Sequence, residues 1–207
     1  MMPVRYLLLY LVFGLLAVHQ AFAEVPANAL RHRAQLTREA HAFWGLDAPV
    51  ATFAAQIHQE SRWRENATSP VGAIGIAQFM PATASWIRDA YPSLRGDGAT
   101  ATNPAWSMRA LVIYDKHLYD HIKAKDRCNR MWMALWAYNG GLGWVYRDQA
   151  KATKAGANRL IAAEVTPSNA GRTAAAFQEN RGYPQVIIGK FEPLYIQAGF
   201  GQGVCHV

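Results

Sequence analysis

One carboxylic acid, Glu60, has the neighbours expected of a catalytic group. Val50, Phe53 and Ile57 recur at helical spacing, and Glu60 follows Ile57 by three residues, so its side chain is expected on the same apolar face. Because burial disfavours the charged form of a carboxyl group, its pKa rises in such a place. A carboxyl group still protonated near neutral pH can supply the proton that the leaving oxygen of a glycosidic bond requires. Helical position alone equally allows a solvated glutamate at a helix end, paired with a nearby arginine.

Most glycoside hydrolases use a second carboxylate as base or nucleophile. The sequence offers no evident partner for Glu60, because Glu65 lies in a stretch expected to be an exposed loop. A carboxylate that folds in from elsewhere is left open at this level.

Four short patches, of which Glu60 opens the first, occur along the chain. They are Glu60-Ser61, Gly72-Ala-Ile-Gly75-Ile-Ala-Gln78-Phe-Met80-Pro81-Ala-Thr83-Ala84, Ala137-Tyr138-Asn139-Gly140-Gly141 and Glu179-Asn180-Arg181-Gly182-Tyr183. In order and spacing they resemble the family 1 lytic transglycosylases, over roughly residues 45–198. The resemblance implies a mainly α, lysozyme-like single domain of about seven helices with little or no sheet.

The resemblance also implies a reaction, the non-hydrolytic cleavage of bacterial peptidoglycan. Members use a single glutamate, here Glu60. It protonates the bond between N-acetylmuramic acid and N-acetylglucosamine, and then takes the proton of the muramoyl C6 hydroxyl as that oxygen attacks C1. The product has a 1,6-anhydromuramoyl end, and no cofactor is implied. His117 and His121 stand four apart on a predicted helix, but they lack a third ligand, so no metal site is expected.

The same resemblance assigns substrate-binding residues. Ser61 would orient the acid or the sugar, Gly75 would permit close sugar approach, and Gln78 would bind acetamido and hydroxyl groups. Tyr138 and Asn139 would flank the cleaved bond, while Met80 would line the groove or simply pack in the core. Tyr183 would approach the catalytic glutamate. Two positions depart from the family pattern: Ala77 stands where methionine is common, and Asn180 stands where threonine is usual.

Aromatic side chains near the patches are further candidates, because flat rings stack on pyranose faces. Trp63, Trp144 and Tyr146 are expected in loops or helix starts near the motifs, whereas Trp132 and Trp136 are expected in the core.

The ends of the chain differ from its middle. A signal peptide is predicted over residues 1–23, cleaved before Glu24, from Arg5, the apolar run from Tyr6 to Val18 and the small residues of Ala21-Phe22-Ala23. A membrane anchor is the alternative, but the apolar run is short for a helix that spans a membrane. The predicted organisation is then a helical extension at 24–44, a catalytic domain at 45–198 and a flexible Gly-rich tail at 199–207. Expected helices cover residues 28–43, 81–90, 103–125, 130–138, 144–153, 169–181 and 183–197, with one more beginning near Pro49.

The composition limits the kinds of molecule that this chain is expected to bind. The formal charge of +7 suits an acidic polymer, and the absence of a Lys/Arg-rich run favours peptidoglycan, with its stem-peptide carboxylates, over nucleic acid. We expect an exported, periplasmic protein with no stable membrane anchor after cleavage, in which Cys128 and Cys205 form a disulfide or stay free. A conjugation, secretion or pilus assembly is a possible partner. A lysozyme resembling the goose type and a catalytically inactive wall-binding protein are the competing functions.

Overall fold

Helices make up almost all regular structure in residues 25–205, the part of the chain that this computed structural model describes. The α-helices are α1 (Ala27–Trp44), α2 (Val50–Ser61), α3 (Pro81–Ala90), α4 (Pro104–His121), α5 (Arg127–Gly140), α6 (Leu142–Lys154), α7 (Ala162–Val165), α8 (Ala174–Val186) and α9 (Glu192–Gln197). A 3-10 turn covers Pro92–Leu94 and a π-helical turn covers Ile187–Phe191. Extended pairing in this range is limited to isolated bridges around Ile74. The predicted mainly α fold is therefore confirmed.

Helix boundaries follow local capping. The Asn103 side chain accepts hydrogen bonds from the first turn of α4, and Pro104 occupies the position where a missing N–H costs nothing. The Asp126 side chain accepts from the amide of Asn129, so α5 begins at Arg127 rather than at Arg130 as expected. The preceding helix, α4, ends at His121 because the next residue is extended.

The core lies between α2 and the helices packed against it. Every residue of α2 from Val50 to His58 is buried, as is the stretch 133–137 of α5. The first helix packs on α4, while α2 packs against the π-helical turn and α9. Helix α2, whose last turn carries Glu60, is therefore packed on several sides.

The C-terminal part of the domain differs from the expected pair of helices at 169–181 and 183–197. Residues 174–197 instead run without a break as α8, the π-helical turn and α9, which we call the C-terminal rod. Its start is capped by Thr173, whose hydroxyl accepts from the amide of Ala176. The short helix α7 lies between α6 and the C-terminal rod.

The prediction of a flexible tail is wrong for residues 199–205. Phe200 and Val204 are each only 2% exposed, because they pack into the core beside α2. The amide of Ala51 donates to the carbonyl of Gln202, and the amide of Val204 donates to the hydroxyl of Thr52. The last described residue, Cys205, forms a disulfide with Cys128 at the start of α5. The tail thus packs against the N-terminal turn of α2, the helix that carries Glu60.

Replacing both Cys128 and Cys205 by serine is expected to lower the free energy of unfolding by about 2–4 kcal/mol, because the disulfide closes a long loop. The two cysteines are 77 residues apart. Urea unfolding of both proteins, with and without a reductant, measures the difference. Equal midpoints for the oxidised protein and the double variant would show that the disulfide adds nothing.

The predicted signal peptide, residues 1–23, lies outside the described residues. Among the helices that are described, none is both long and apolar enough to cross a membrane.

Candidate active site

Glu60 lies in the last turn of α2 and borders a cavity of about 280 Å³. The helix ends directly afterwards because Arg62 and Trp63 adopt positive φ angles of 53° and 61°. This cavity, which we call the Glu60 cavity, is open to solvent on one side and is lined by Glu60, Ser69, Val71, Ala73, Gln78, Phe79, Met80, Thr83, Tyr114, Tyr138, Asn139 and Glu179. Of the predicted site residues, it brings together Glu60, Gln78, Met80, Tyr138 and Asn139.

The environment of Glu60 raises its pKa from 4.5 to about 7. Burial is the main cause, since it disfavours the carboxylate, and the negative charge of Glu179 across the cavity acts in the same direction. A hydrogen bond donated by the hydroxyl of Tyr183 opposes both effects. The side chain is therefore poised to hold a proton and to release it near neutral pH, as a group that serves as both acid and base must do.

Replacing Tyr183 by phenylalanine is expected to raise the pKa of Glu60 further, because the hydrogen bond that favours the carboxylate is lost. A hydrogen bond to a charged group is worth about 1.5–3 kcal/mol, so an upward shift of about one pH unit is expected. The carboxyl carbon signal of Glu60 in an NMR titration measures it. Tyr138→Phe is the matched control, since the hydroxyl of Tyr138 donates to the carbonyl of Ala77, at 2.8 Å, and not to Glu60. An unchanged or lower pKa in Tyr183→Phe would contradict the assignment.

Gln78 enters the cavity from the loop before α3. It adopts a positive φ of 50°, and its amide nitrogen donates to the carbonyls of Gly75 and Ala67 at 2.8 and 3.1 Å. Because both amide hydrogens are used within the loop, the side-chain oxygen is the group left to accept from a ligand. Met80, which is 43% exposed, follows at the rim of the cavity.

Tyr138 and Asn139 come from the last turn of α5. The Tyr138 ring lies nearly parallel to that of Tyr183, with 6.5 Å between centroids. The amide of Asn139 is held at both ends: its nitrogen donates to Glu179 at 3.4 Å, and its oxygen accepts from Asn180 at 3.0 Å. The position of Asn139 is therefore fixed from the C-terminal rod.

A buried ionic network supports Asn180. The side-chain oxygen of Asn180 accepts from Arg172 and Arg181, at 2.7 and 3.0 Å. Both arginines also donate to Asp148, which is fully buried. Asn180, which replaces the threonine usual at this position, thus links the network to the cavity through Asn139.

Three residues predicted near substrate occupy other places. The hydroxyl of Ser61 is buried and donates to the carbonyl of Ile76 at 2.8 Å, which ties α2 to the following loop. Gly75 has a φ of +77°, and a Cβ atom there would lie 1.9 Å from the carbonyl oxygen of Ala101. Trp63 is fully buried, and its indole nitrogen donates to the hydroxyl of Tyr195. None of the three lines the Glu60 cavity, so their roles are in positioning the chain.

Among the described residues, no three His, Cys, Asp or Glu side chains converge as metal ligands. The Glu60 cavity offers the carboxyl group of Glu60 for proton transfer, with a second carboxyl group, that of Glu179, and polar and aromatic side chains around it.

Comparison with known proteins assigns a family to this chain. Residues 37–161, more than half of the sequence, match the family model described as the transglycosylase SLT domain. The chain belongs to the SLT transglycosylase family.

Relatives of this SLT domain are much longer proteins. It is 36% identical over 112 residues to membrane-bound lytic murein transglycosylase F of Pasteurella multocida, covering 52% of this chain and 20% of that protein. It is 34% identical over 101 residues to the protein of the same name from Haemophilus influenzae, covering 48% and 18%. The chain thus spans about a fifth of the length of the curated relatives it matches.

A solved structure shows the fold. The lytic transglycosylase Slt of Pseudomonas aeruginosa, crystallised as an inactive mutant in which a glutamate is replaced by glutamine, superposes with a TM-score of 0.66. The sequences are 24% identical, and the superposition covers 86% of this chain and 26% of that one. The predicted lysozyme-like fold class is confirmed.

The span matched to the SLT domain includes Glu60, Gln78, Tyr138 and Asn139 but ends before Tyr183. The place of Tyr183 in the site is therefore supported by its hydrogen bond to Glu60 and by its packing on Tyr138.

Asp115 on α4 is one of several buried acids that the sequence prediction missed. It is fully buried and accepts from the amide of Gln56, one turn before Glu60 on α2, at 3.4 Å. Burial, and secondarily the charge of Glu60, raise the pKa of Asp115 well above its usual value. The second side-chain oxygen of Asp115, Oδ2, and the side-chain oxygen of Gln56 have no hydrogen-bond partner among the described residues. A protonated Asp115 carboxyl group has a hydrogen that it can donate. The sequence contains a pattern that could have revealed Asp115: like Glu60, Asp115 interrupts an apolar helical stripe.

Tyr114 on α4, which the sequence did not single out as a site residue, lines the Glu60 cavity together with Thr83. Nothing in its spacing distinguishes a tyrosine in the core from one at the edge of a cavity.

Proposed function

We propose that this SLT domain is an exported lytic transglycosylase, which cleaves the β-1,4 bond between N-acetylmuramic acid and N-acetylglucosamine in peptidoglycan. The observation that carries the proposal is the pKa of about 7 at Glu60, inside a solvent-open cavity lined by hydrogen-bonding and aromatic side chains. Membership of the SLT family and similarity to lytic murein transglycosylases support the substrate.

In the first step, protonated Glu60 donates its proton to the glycosidic oxygen, and the bond from C1 to that oxygen breaks. N-acetylglucosamine leaves with a free hydroxyl, and positive charge develops at C1. The hydroxyl of Tyr183, which donates to Glu60, stabilises the carboxylate that has just formed.

In the second step, the Glu60 carboxylate takes the proton of the muramoyl C6 hydroxyl while that oxygen bonds to C1. The 1,6-anhydro ring closes, and Glu60 is protonated again, so that no water is consumed. Tyr138 and Asn139 border the same cavity and would contact the sugar on either side of the cleaved bond. One group serves both steps because its pKa lies close to the working pH.

Hydrolysis is the second candidate, and Glu179 is the observation that favours it. Glu179 lines the Glu60 cavity and is exposed, so its carboxylate could activate a water molecule. Two features favour the transglycosylase: Glu179 is engaged by Asn139, and the family model matches a transglycosylase domain.

Product analysis separates the two candidates. Purified sacculi would be incubated with the protein, and the released muropeptides resolved by liquid chromatography and mass spectrometry. Addition of water makes a reducing muramoyl end about 18 Da heavier than an anhydro end. Anhydro ends from the wild type and from Glu179→Gln are the expected result. Reducing ends that disappear in Glu179→Gln would instead assign a hydrolase with two carboxylates.

Export and a periplasmic location form part of the proposal. The disulfide supports them, since disulfides persist in oxidising compartments. We further propose that the enzyme has a conjugation, secretion or pilus assembly as its partner. Cross-linking of the cell envelope, followed by purification of the enzyme with the proteins linked to it, tests this proposal.

A further inference from the structure

Resting on the proposed function, we propose that a cavity beside Trp86 is a sugar-stacking subsite outside the cleavage position. A glycan strand then lies across the domain on both sides of Glu60 and is cut at internal bonds. The inference thus concerns which bonds of the strand the enzyme selects.

The Trp86 cavity has a volume of about 330 Å³ and adjoins the Glu60 cavity. It is lined by Ala82, Thr83, Trp86, Tyr114, His117, Leu118 and Leu142. Two of these residues, Thr83 and Tyr114, also line the Glu60 cavity, so the two cavities are adjacent. The next sugars of a strand bound at Glu60 would therefore lie close to the Trp86 cavity.

The Trp86 ring has the features of a stacking platform. It is 45% exposed, although tryptophan is usually largely buried. Edge contacts to His117 and Tyr114, with ring centroids 5.1 and 6.0 Å apart, hold it in one orientation. Burial, and secondarily the neighbouring His121, lower the pKa of His117, which favours its neutral form. A fixed apolar ring beside an uncharged imidazole suits the face of a neutral pyranose.

A third cavity, of about 440 Å³, adjoins the Glu60 cavity at other residues than the Trp86 cavity does. Asn139 and Glu179 line both, and the third cavity also includes Trp144, Arg172 and Asn180. The guanidinium of Arg147 lies 3.8 Å from the centre of the Trp144 ring. The aromatic ring and the positive charge together suit a sugar that carries an acidic stem peptide.

The Glu60 cavity therefore adjoins one cavity at Thr83 and Tyr114 and another at Asn139 and Glu179. Because a strand that uses both neighbouring cavities extends beyond the cleaved bond in both directions, neither of its ends needs to be at Glu60. The position of the Trp86 cavity next to the Glu60 cavity favours a glycan strand over a protein partner as its occupant.

The test uses long, soluble glycan strands and follows product length from the first few per cent of conversion. Internal cleavage predicts a broad range of lengths, each ending in an anhydro sugar, from the earliest samples. Anhydro disaccharide as the sole early product would overturn internal cleavage while leaving the proposed function intact. The absence of anhydro products from the wild type would overturn both.

Trp86→Ala tests the subsite itself. We expect KM for long strands to rise about 3- to 10-fold with little change in kcat, since stacking holds the strand but takes no part in the proton transfers. Binding of long strands to the Glu60→Gln variant should weaken by the same factor when Trp86→Ala is added. Leu46→Ala, which alters an exposed apolar side chain outside the three cavities, is the control and should change neither value. Unchanged binding and KM in Trp86→Ala would show that the ring serves another partner.

Discussion

Replacing Glu60 by glutamine is expected to lower the rate of peptidoglycan cleavage by about 10³- to 10⁴-fold, because the amide can neither donate the proton to the leaving oxygen nor take it back. The measurement is the initial rate at which soluble muropeptides appear from sacculi. Glu65→Gln is the matched control: it makes the same chemical change at a partly exposed glutamate, paired with His32 outside the cavity. A Glu60→Gln protein that retains most of the activity would remove Glu60 from the mechanism.

The same substitution should change how stability depends on pH. The pKa of Glu60 is about 7 in the folded protein and 4.5 without the fold, so the folded state holds this proton more tightly. Its contribution to stability is therefore complete below about pH 4.5 and is lost as the pH rises towards about 7. Glutamine has no such dependence, and the variant should gain about 3 kcal/mol relative to wild type as the pH rises between these limits. Urea unfolding at several pH values tests this, and a difference that does not vary with pH would contradict the raised pKa.

Replacing Asp148 by asparagine should have the largest effect on stability, a loss of about 3–5 kcal/mol. Asp148 is fully buried between Arg172 and Arg181, and removing its charge leaves two buried guanidinium groups without an anion. Because these arginines also hold Asn180, we expect the surviving folded protein to cleave peptidoglycan more slowly. Urea unfolding and the muropeptide assay measure the two effects.

Asp120→Asn is the control for Asp148→Asn. It removes a carboxylate from a surface ion pair with Lys116, for which a loss below about 1 kcal/mol is expected. Adding Arg172→Met to Asp148→Asn should recover part of the stability, since it removes one of the two unpaired charges. Similar losses in Asp148→Asn and Asp120→Asn would show that the network is not a major source of stability.

Local patterns predicted the helices and the acid but not the neighbours that complete the site. Glu60 could be singled out because its own helix has an apolar face that the carboxyl group interrupts. Tyr183 is 123 residues away, and only the resemblance to the family placed it near Glu60. A spacing within a single helix cannot predict such a contact, because it depends on how the C-terminal rod packs against α5 and α2.

The orientation of Ser61 and the order of the C-terminal tail have simple physical causes. Consecutive residues of a helix point about 100° apart, so Ser61 faces the interior when Glu60 faces the cavity. The glycines at the C-terminus suggested a loose tail, but Phe200 and Val204 supply enough apolar surface to anchor it. In a short segment, two buried side chains and a disulfide outweigh a composition that favours mobility.

The C-terminal rod also limits how the length of this protein can change during evolution. Asn180 reaches Asn139, and Tyr183, less than one turn further on, reaches Glu60. Inserting or deleting one residue between them would rotate the rest of the rod by about 100° and turn one of the two side chains away from the cavity. Loops such as residues 95–100 have no such constraint. Among descendants of this sequence, insertions should accumulate in the loops, while the stretch from Asn180 to Tyr183 keeps its length.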